Sequence, residues 1–230
     1  RVKSFTWLAL TIVTAWTLPA TAEVVLRRSN DAVVLENGLV RVELHRKQSF
    51  HPVVLVDKRN PRPSLIDDIG FIAWDVARAD WLRSTTSDWQ VSIESSQDKH
   101  AVSCQTTLSQ DSPGGIRSFL KLRTTIRDGS PAVDLVFDAK FRTDHIQSVG
   151  LQIQGAGFQQ AEWTTAWGTR TLGLVGRKNS FHAMLGFQNG LALTRKKDDP
   201  PAGMLLFHNT AWNTVFPTLR EKPTFVRFMH

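Results

Sequence analysis

Residues 117–154 read RSFLKLRTTIRDGSPAVDLVFDAKFRTDHIQSVGLQIQ. Ser118, Leu120, Leu122, Thr124 and Ile126 alternate with Arg117, Lys121, Arg123 and Arg127. Asp128-Gly129-Ser130-Pro131 follows, a run of turn-forming residues. Val133, Leu135, Phe137, Ala139 and Phe141 then alternate with Asp134, Asp138, Lys140 and Arg142. Period-two alternation of this length predicts two strands, each with one apolar face.

The pairing follows from the loop. Four residues at 128–131 set Arg127 opposite Ala132, which pairs Ile126 with Val133, Thr124 with Leu135, Leu122 with Phe137 and Leu120 with Ala139. On the other face Lys121 meets Asp138 and Thr125 meets Asp134. Cross-strand pairs of this kind contribute roughly 0.2–1 kcal/mol each. A slip of one residue would carry charges into the core, so the register is strongly specified. One wet and one dry face argue for an antiparallel sheet packed on another layer. A third strand is predicted where Val149, Leu151 and Ile153 share a face.

Toward the N-terminus, Ala32–Leu44 reads as a hairpin centred on Asn37-Gly38, with Leu35 facing Val40 and Val33 facing Val42. Val53–Val56 is an apolar strand before the polar, Pro-rich stretch 57–63. Leu65–Trp74 reads as a further strand, and Asp75–Arg83 as a short helical turn. Trp89–Glu94 and Ala101–Leu108 read as a hairpin pair. Cys104, the only cysteine, sits inside the second of these as a small buried residue, and no intrachain disulfide can form.

The chain opens Arg1-Val2-Lys3, continues with an apolar run from Phe5 to Leu18 and reaches Pro19-Ala20-Thr21-Ala22. A basic start, a short apolar core and a small-x-small site predict an export signal over residues 1–22, cleaved after Ala22, the alternative being an uncleaved N-terminal anchor. The run is shorter than the ~20 residues of a membrane span, and no span is expected after cleavage. The periplasm or the extracellular space is the expected location. Residues 23–230 then form one β-rich region, and the alternation of Phe225–His230 suggests that it continues beyond the last residue. Of 28 basic side chains, Arg1 and Lys3 fall in the signal, leaving a net charge of about +5 against 21 acids. Such a mild basic bias suits a polyanionic partner and equally an ordinary soluble surface. Basic residues interleave with acids rather than clustering, which argues against nucleic acid.

From Phe158 onward tryptophan and glycine collect, with short strands expected at Thr171–Val175, Ala183–Phe187, Leu191–Thr194 and Met204–His208. Trp163, Trp167 and Trp212 form either a stacking platform for sugar rings or part of the core. Arg170, Arg177, His182 and His208 have the residue types that β-elimination on a uronate needs, a base and a positive group beside the carboxylate. Asp134 and Asp138 lie roughly 13 Å apart on one strand at about 3.4 Å per residue, too far for a glycosidase pair. Adjacent Asp67 and Asp68 would point to opposite faces of a strand. Asp75 and Asp80 flank Trp74 and Trp81 as sugar-cleft carboxylates or as loop caps. There are no tyrosines to serve as acid, base or nucleophile. Histidine spacing gives no metal motif, no phosphate loop or dinucleotide fingerprint occurs, and no cofactor is expected.

Strands every 8–15 residues or so with almost no helix predict an all-β, antiparallel β-sandwich or barrel. Phe119–Arg127, Asp128–Pro131, Ala132–Arg142 and His145–Ile153, together with Val34-Leu35-Glu36-Asn37-Gly38-Leu39-Val40-Arg41-Val42, resemble the β-rich N-terminal region of exo-rhamnogalacturonan lyases and related bacterial polysaccharide-degrading proteins. The resemblance covers residues 31–155. It implies a galactose-mutarotase-like supersandwich or a β-barrel plus sandwich, and a polysaccharide or oligosaccharide substrate. Where that family has an aromatic residue before the turn glycine, this chain has Asp128, and no catalytic residue of the family carries over. The expected function is the β-sandwich region of an exported polysaccharide lyase or glycoside hydrolase acting on an acidic polysaccharide, the alternative being a non-catalytic carbohydrate-binding or structural module.

Overall fold

The computed structural model describes residues 3–13, 23–59, 64–84, 89–112, 116–141, 145–155, 158–165, 168–173, 181–182, 190–195, 202–208, 218–221 and 224–229. In chain order the strands are β1 (Lys3–Val13), β2 (Val25–Arg28), β3 (Ala32–Glu36), β4 (Val40–His45), β5 (His51–Asp57), β6 (Ile66–Asp75), β7 (Asp80–Arg83), β8 (Gln90–Gln97), β9 (Ala101–Ser112) and β10 (Ile116–Arg127). They continue with β11 (Ala132–Phe141), β12 (Ile146–Gly155), β13 (Gln160–Thr165), β14 (Gly168–Gly173), β15 (Phe181–His182), β16 (Gly190–Arg195), β17 (Ala202–His208), β18 (Thr218–Glu221) and β19 (Thr224–Met229). A single 3-10 turn, Arg46–Gln48, is the one helical element among the described residues. The chain is all-β, and every ladder among the described residues is antiparallel.

The strands form three sheets. The largest runs β14-β13-β16-β17-β1-β11-β10-β9-β8, the second β15-β18-β19-β12-β6-β7 and the third β2-β3-β4-β5. At the centre of the first, β10 and β11 pair in the register that the 128–131 loop dictates, with Ile126 opposite Val133, Leu122 opposite Phe137 and Lys121 opposite Asp138. Leu120, Leu122, Ile126, Val133, Leu135 and Ala139 are buried, as the alternation requires. Fully burying a side chain of this size contributes roughly 1.5–3 kcal/mol. Cys104 on β9 is buried too, and burial pushes its thiol up to about 11.

The third predicted strand, β12, does not stay with this hairpin. It pairs with β6 and β19 in the second sheet, and its Val149, Leu151 and Ile153 are buried. The sheets meet in one core, where the rings of Phe71 on β6 and Phe137 on β11 pack edge to face at 5.3 Å.

Two expectations are corrected. The hairpin at Asn37-Gly38 pairs Leu35 with Val42 and Val33 with Leu44, two residues further along than a two-residue turn would give. The cause is Asn37 itself, which is buried and whose Oδ1 accepts from the N–H groups of Leu39 and Val40 at 2.7 and 2.8 Å. That side-chain bond widens the loop. Because the shift is two, the apolar face stays buried. The second correction is 75–83, where a strand replaces the helical turn: β7 folds back on β6 and sets Trp74 opposite Trp81, ring centroids 5.1 Å apart. The turn between them is held by Asp75 Oδ1, which accepts from the N–H groups of Ala77 and Arg78. Asp75 is therefore a loop cap beside packed tryptophans.

Candidate functional site

The first turn after β4 is the local cause of the site. The chain leaves β4 through the 3-10 turn and enters β5 by Ser49 and Phe50, whose φ angles are 55° and 54°. Two consecutive non-glycine residues in the left-handed region cost on the order of 1–2 kcal/mol each. Such strain concentrates where the surrounding structure over-determines the backbone. Here Phe50 N–H donates to His45 O at 2.8 Å, and Thr106 Oγ1 on β9 donates to Phe50 O at 2.7 Å. The kink sends Phe50 toward the surface and His51 into the interior.

On the outer side of the kink lies a groove of about 460 Å3 lined by Arg28, Ser29, Asn30, Arg46, Phe50, Val91 and Ile93. That volume is within the ~300–1,000 Å3 of ligand clefts. Its rim is rigid. Ser29 Oγ accepts from Asp31 and Ala32 N–H and donates to Ala32 O, and Arg46 N–H donates to Asp31 O. Arg28 and Arg46 are exposed, and among the described residues neither has a carboxylate partner. Arg27 and Arg41 nearby are paired, with Glu36 and Glu43. Val91 is 40% exposed, which gives the groove an apolar wall beside its two guanidiniums.

On the inner side a second group of polar atoms is enclosed. His51 is fully buried, and burial alone lowers its imidazole to about 4. Ser84 Oγ accepts from Phe71 N–H at 2.9 Å and lies 3.3 Å from His51 Nδ1. The same hydroxyl donates to Phe71 O at 3.5 Å. His51 Nε2 is buried without a hydrogen-bond partner in the structure, and so is Asp68 Oδ1. Burial, opposed by the Ile69 backbone N–H and reinforced by the neighbouring Asp67 charge, pushes Asp68 up to about 7. All three side chains converge over Gly70. A β-carbon there would lie 3.1 Å from Asp68 Oδ2, 3.1 Å from Ser84 Oγ and 3.4 Å from His51 Nδ1. A neutral imidazole, a hydroxyl and a carboxyl poised near neutrality are proton-transfer groups.

The residues expected from sequence are placed as follows. The backbone ladder sets Trp163 on β13 directly opposite Arg170 on β14. His208 stands on β17 in the same sheet, opposite Leu10, whereas His182 stands on β15 in another sheet, opposite Thr218. Trp167, Arg177 and Trp212, with the whole of the expected strand Ala183–Phe187, lie outside the described residues. Sequence reasoning passed over His51, Ser84, Arg28 and Arg46. The available signal for the first was a histidine beginning a strand otherwise made of apolar residues, HPVVLV. Among the described residues no group of three metal-binding side chains converges. No family model matches the chain, and no curated protein matches it.

Proposed function

We propose that this chain is the β-sandwich region of an exported carbohydrate-active protein and that the groove at the β2–β3 and β4–β5 turns holds an acidic saccharide. The observation that carries the reading is the pair Arg28 and Arg46, two exposed guanidiniums on one groove without carboxylate partners among the described residues. Guanidinium binds a uronate carboxylate through two parallel hydrogen bonds. Phe50, Val91 and Ile93 offer the apolar surface that the C–H face of a sugar ring needs, and Ser29 and Asn30 offer hydroxyl and amide groups. Support for a sandwich comes from the third sheet, whose β2 and β3 lie over β8, β9 and β10 of the first, and from β5, which runs beside β6 so that the second and third sheets continue one another.

Among the described residues the groove lining contains no carboxylate and no imidazole, which favours binding over cleavage at this place. The catalytic reading, a lyase or hydrolase, draws on Asp68, a carboxyl with the proton affinity of a general base near neutral pH. Calorimetric titration with oligogalacturonates and neutral oligosaccharides of equal length tests the first reading. Binding confined to the anionic series, weakened at least tenfold by Arg28→Ala and by Arg46→Ala, is expected. Equal binding of both series, or none, overturns it. Unsaturated-product absorbance in the same mixtures, abolished by Asp68→Asn, would establish the catalytic reading.

A further inference from the structure

The segment with the composition of an export signal occupies the middle of the largest sheet. Four strands lie on one side of β1 and four on the other, and β1 is the ladder that joins them. Along Ser4–Ile12 its register on β11 sets most apolar residues opposite apolar ones and hydroxyls opposite charges, whereas Lys3 stands opposite Phe141. Phe5, Leu8, Leu10 and Ile12 stand opposite the buried residues Ala139, Phe137, Leu135 and Val133 of β11. Ser4, Thr6 and Thr11 stand opposite Lys140, Asp138 and Asp134, on the half-exposed face of β11.

The alternation of β1 changes phase between Thr6 and Leu8, from odd to even apolar positions. The register shift that restores the match falls between those two residues and leaves Trp7 unpaired with β11. A bulge of this kind absorbs one residue and re-aims the remainder of the strand. An export signal needs only a continuous apolar run. Hydroxyls at the three positions opposite charged residues, and a bulge at the phase change, serve a sheet.

We infer that β11 and β17 form a strand-accepting site for an extended peptide of this alternation, and that Lys3–Val13 is its occupant in the uncleaved chain. Recognition is by strand addition: backbone hydrogen bonds along both edges supply affinity, and the alternating side chains supply register. The inference rests on the export reading in one respect. Cleavage after Ala22 would cut the occupant's only covalent link to the sheet, so that it stays by affinity alone and gives way to a competing strand.

The test uses the whole chain with a protease site introduced between Val13 and Glu23, cut after folding. The cut segment should remain with the protein through gel filtration. Excess fluorescent peptide of sequence KSFTWLALTIV should displace it. The Leu10→Lys peptide should compete at least tenfold more weakly than the Thr11→Lys peptide, whose lysine stands opposite Asp134. Loss of the cut segment with no change in amide protection of β11 and β17 overturns the inference, and so does equal competition by the two variant peptides. The mass of the secreted protein separately shows whether residues 1–22 are removed. Retention of that segment would remove the cleavage step and leave the peptide result standing.

Discussion

Asn37 donates from Nδ2 to the carbonyl oxygen of Ser130, 93 residues further along the chain, at 2.8 Å. The same nitrogen donates to Arg127 O at 2.7 Å, while Oδ1 accepts two N–H groups of its own loop. One buried side chain thus closes the β3–β4 loop and fastens it to the turn of the β10–β11 hairpin. Leaving a buried backbone group unsatisfied costs about 1–3 kcal/mol. Asn37→Ala removes the partner of two buried N–H groups and a bond from each of two part-buried carbonyls, so we expect a loss of about 2–3 kcal/mol in urea denaturation. Asn37→Asp keeps the two accepted bonds but sets an oxygen against two carbonyls, and should lose stability as well.

The inner cluster makes a pH prediction with opposing signs. His51 falls from 6.5 to about 4 on folding, so the unfolded chain takes up its proton first, and stability from this group is lost as pH falls from 6.5 to about 4. Asp68 rises from 3.8 to about 7, so the folded chain holds its proton, and stability is lost as pH rises from 3.8 to about 7. Between about 4 and 6.5 the two slopes oppose, each at most ~1.4 kcal/mol per pH unit. The melting temperature of the unaltered protein should vary little from this cluster across that window. Asp68→Asn should melt higher as pH rises through it, and His51→Gln lower. Parallel profiles for the two variants would refute the assignment.

Gly155 ends β12 against the ring of Phe158, and a β-carbon there would lie 2.4 Å from Cε2 and 2.5 Å from Cδ2. Phe158 is 2% exposed and has no room to swing away. Overpacking of this kind costs typically 1–3 kcal/mol, and Gly155→Ala should fall in that range. Because the clash is with one ring, Gly155→Ala combined with Phe158→Ala should cost less than the sum of the single changes. Additive costs in thermal melts would show that the ring is not the obstacle.

Ala79 closes the β6–β7 turn with φ at 50°, exposed to solvent. Glycine adopts that conformation without strain. Ala79→Gly should stabilise the protein by up to about 1 kcal/mol, read as a rise in denaturation midpoint at unchanged slope.

The central hairpin was legible because everything that sets it is local: alternation on both strands, and a loop whose length fixes their register. The Asn37-Gly38 hairpin was legible in its faces but not in its register, since the deciding bonds of Asn37 reach carbonyls at residues 127 and 130. Asp75–Arg83 misled because its spacing of apolar and charged residues suits one helical turn, and only the pairing of Trp74 with Trp81 across the sheet favours a strand. The cluster of His51, Asp68 and Ser84 could not be read at all. Its members come from the start of β5, the interior of β6 and the turn residue just after β7, and they meet through sheet packing rather than through spacing. Arg28 and Arg46 were hidden among many other basic residues; what distinguishes them is that the fold brings both to one groove, which is a property of the folded surface.

The place of β1 also bears on the order of assembly. β1 pairs with residues 132–141 and 202–208, so both its ladders close loops of more than about 100 residues. Non-local pairing of this kind is slow, and the rest of the largest sheet can assemble as two local halves beforehand. Until β17 emerges, an apolar strand waits without its second neighbour, the circumstance in which chains aggregate. Serine and threonine spaced through its sequence interrupt what would otherwise be an unbroken apolar run, and so lower the hazard while the chain is still incomplete.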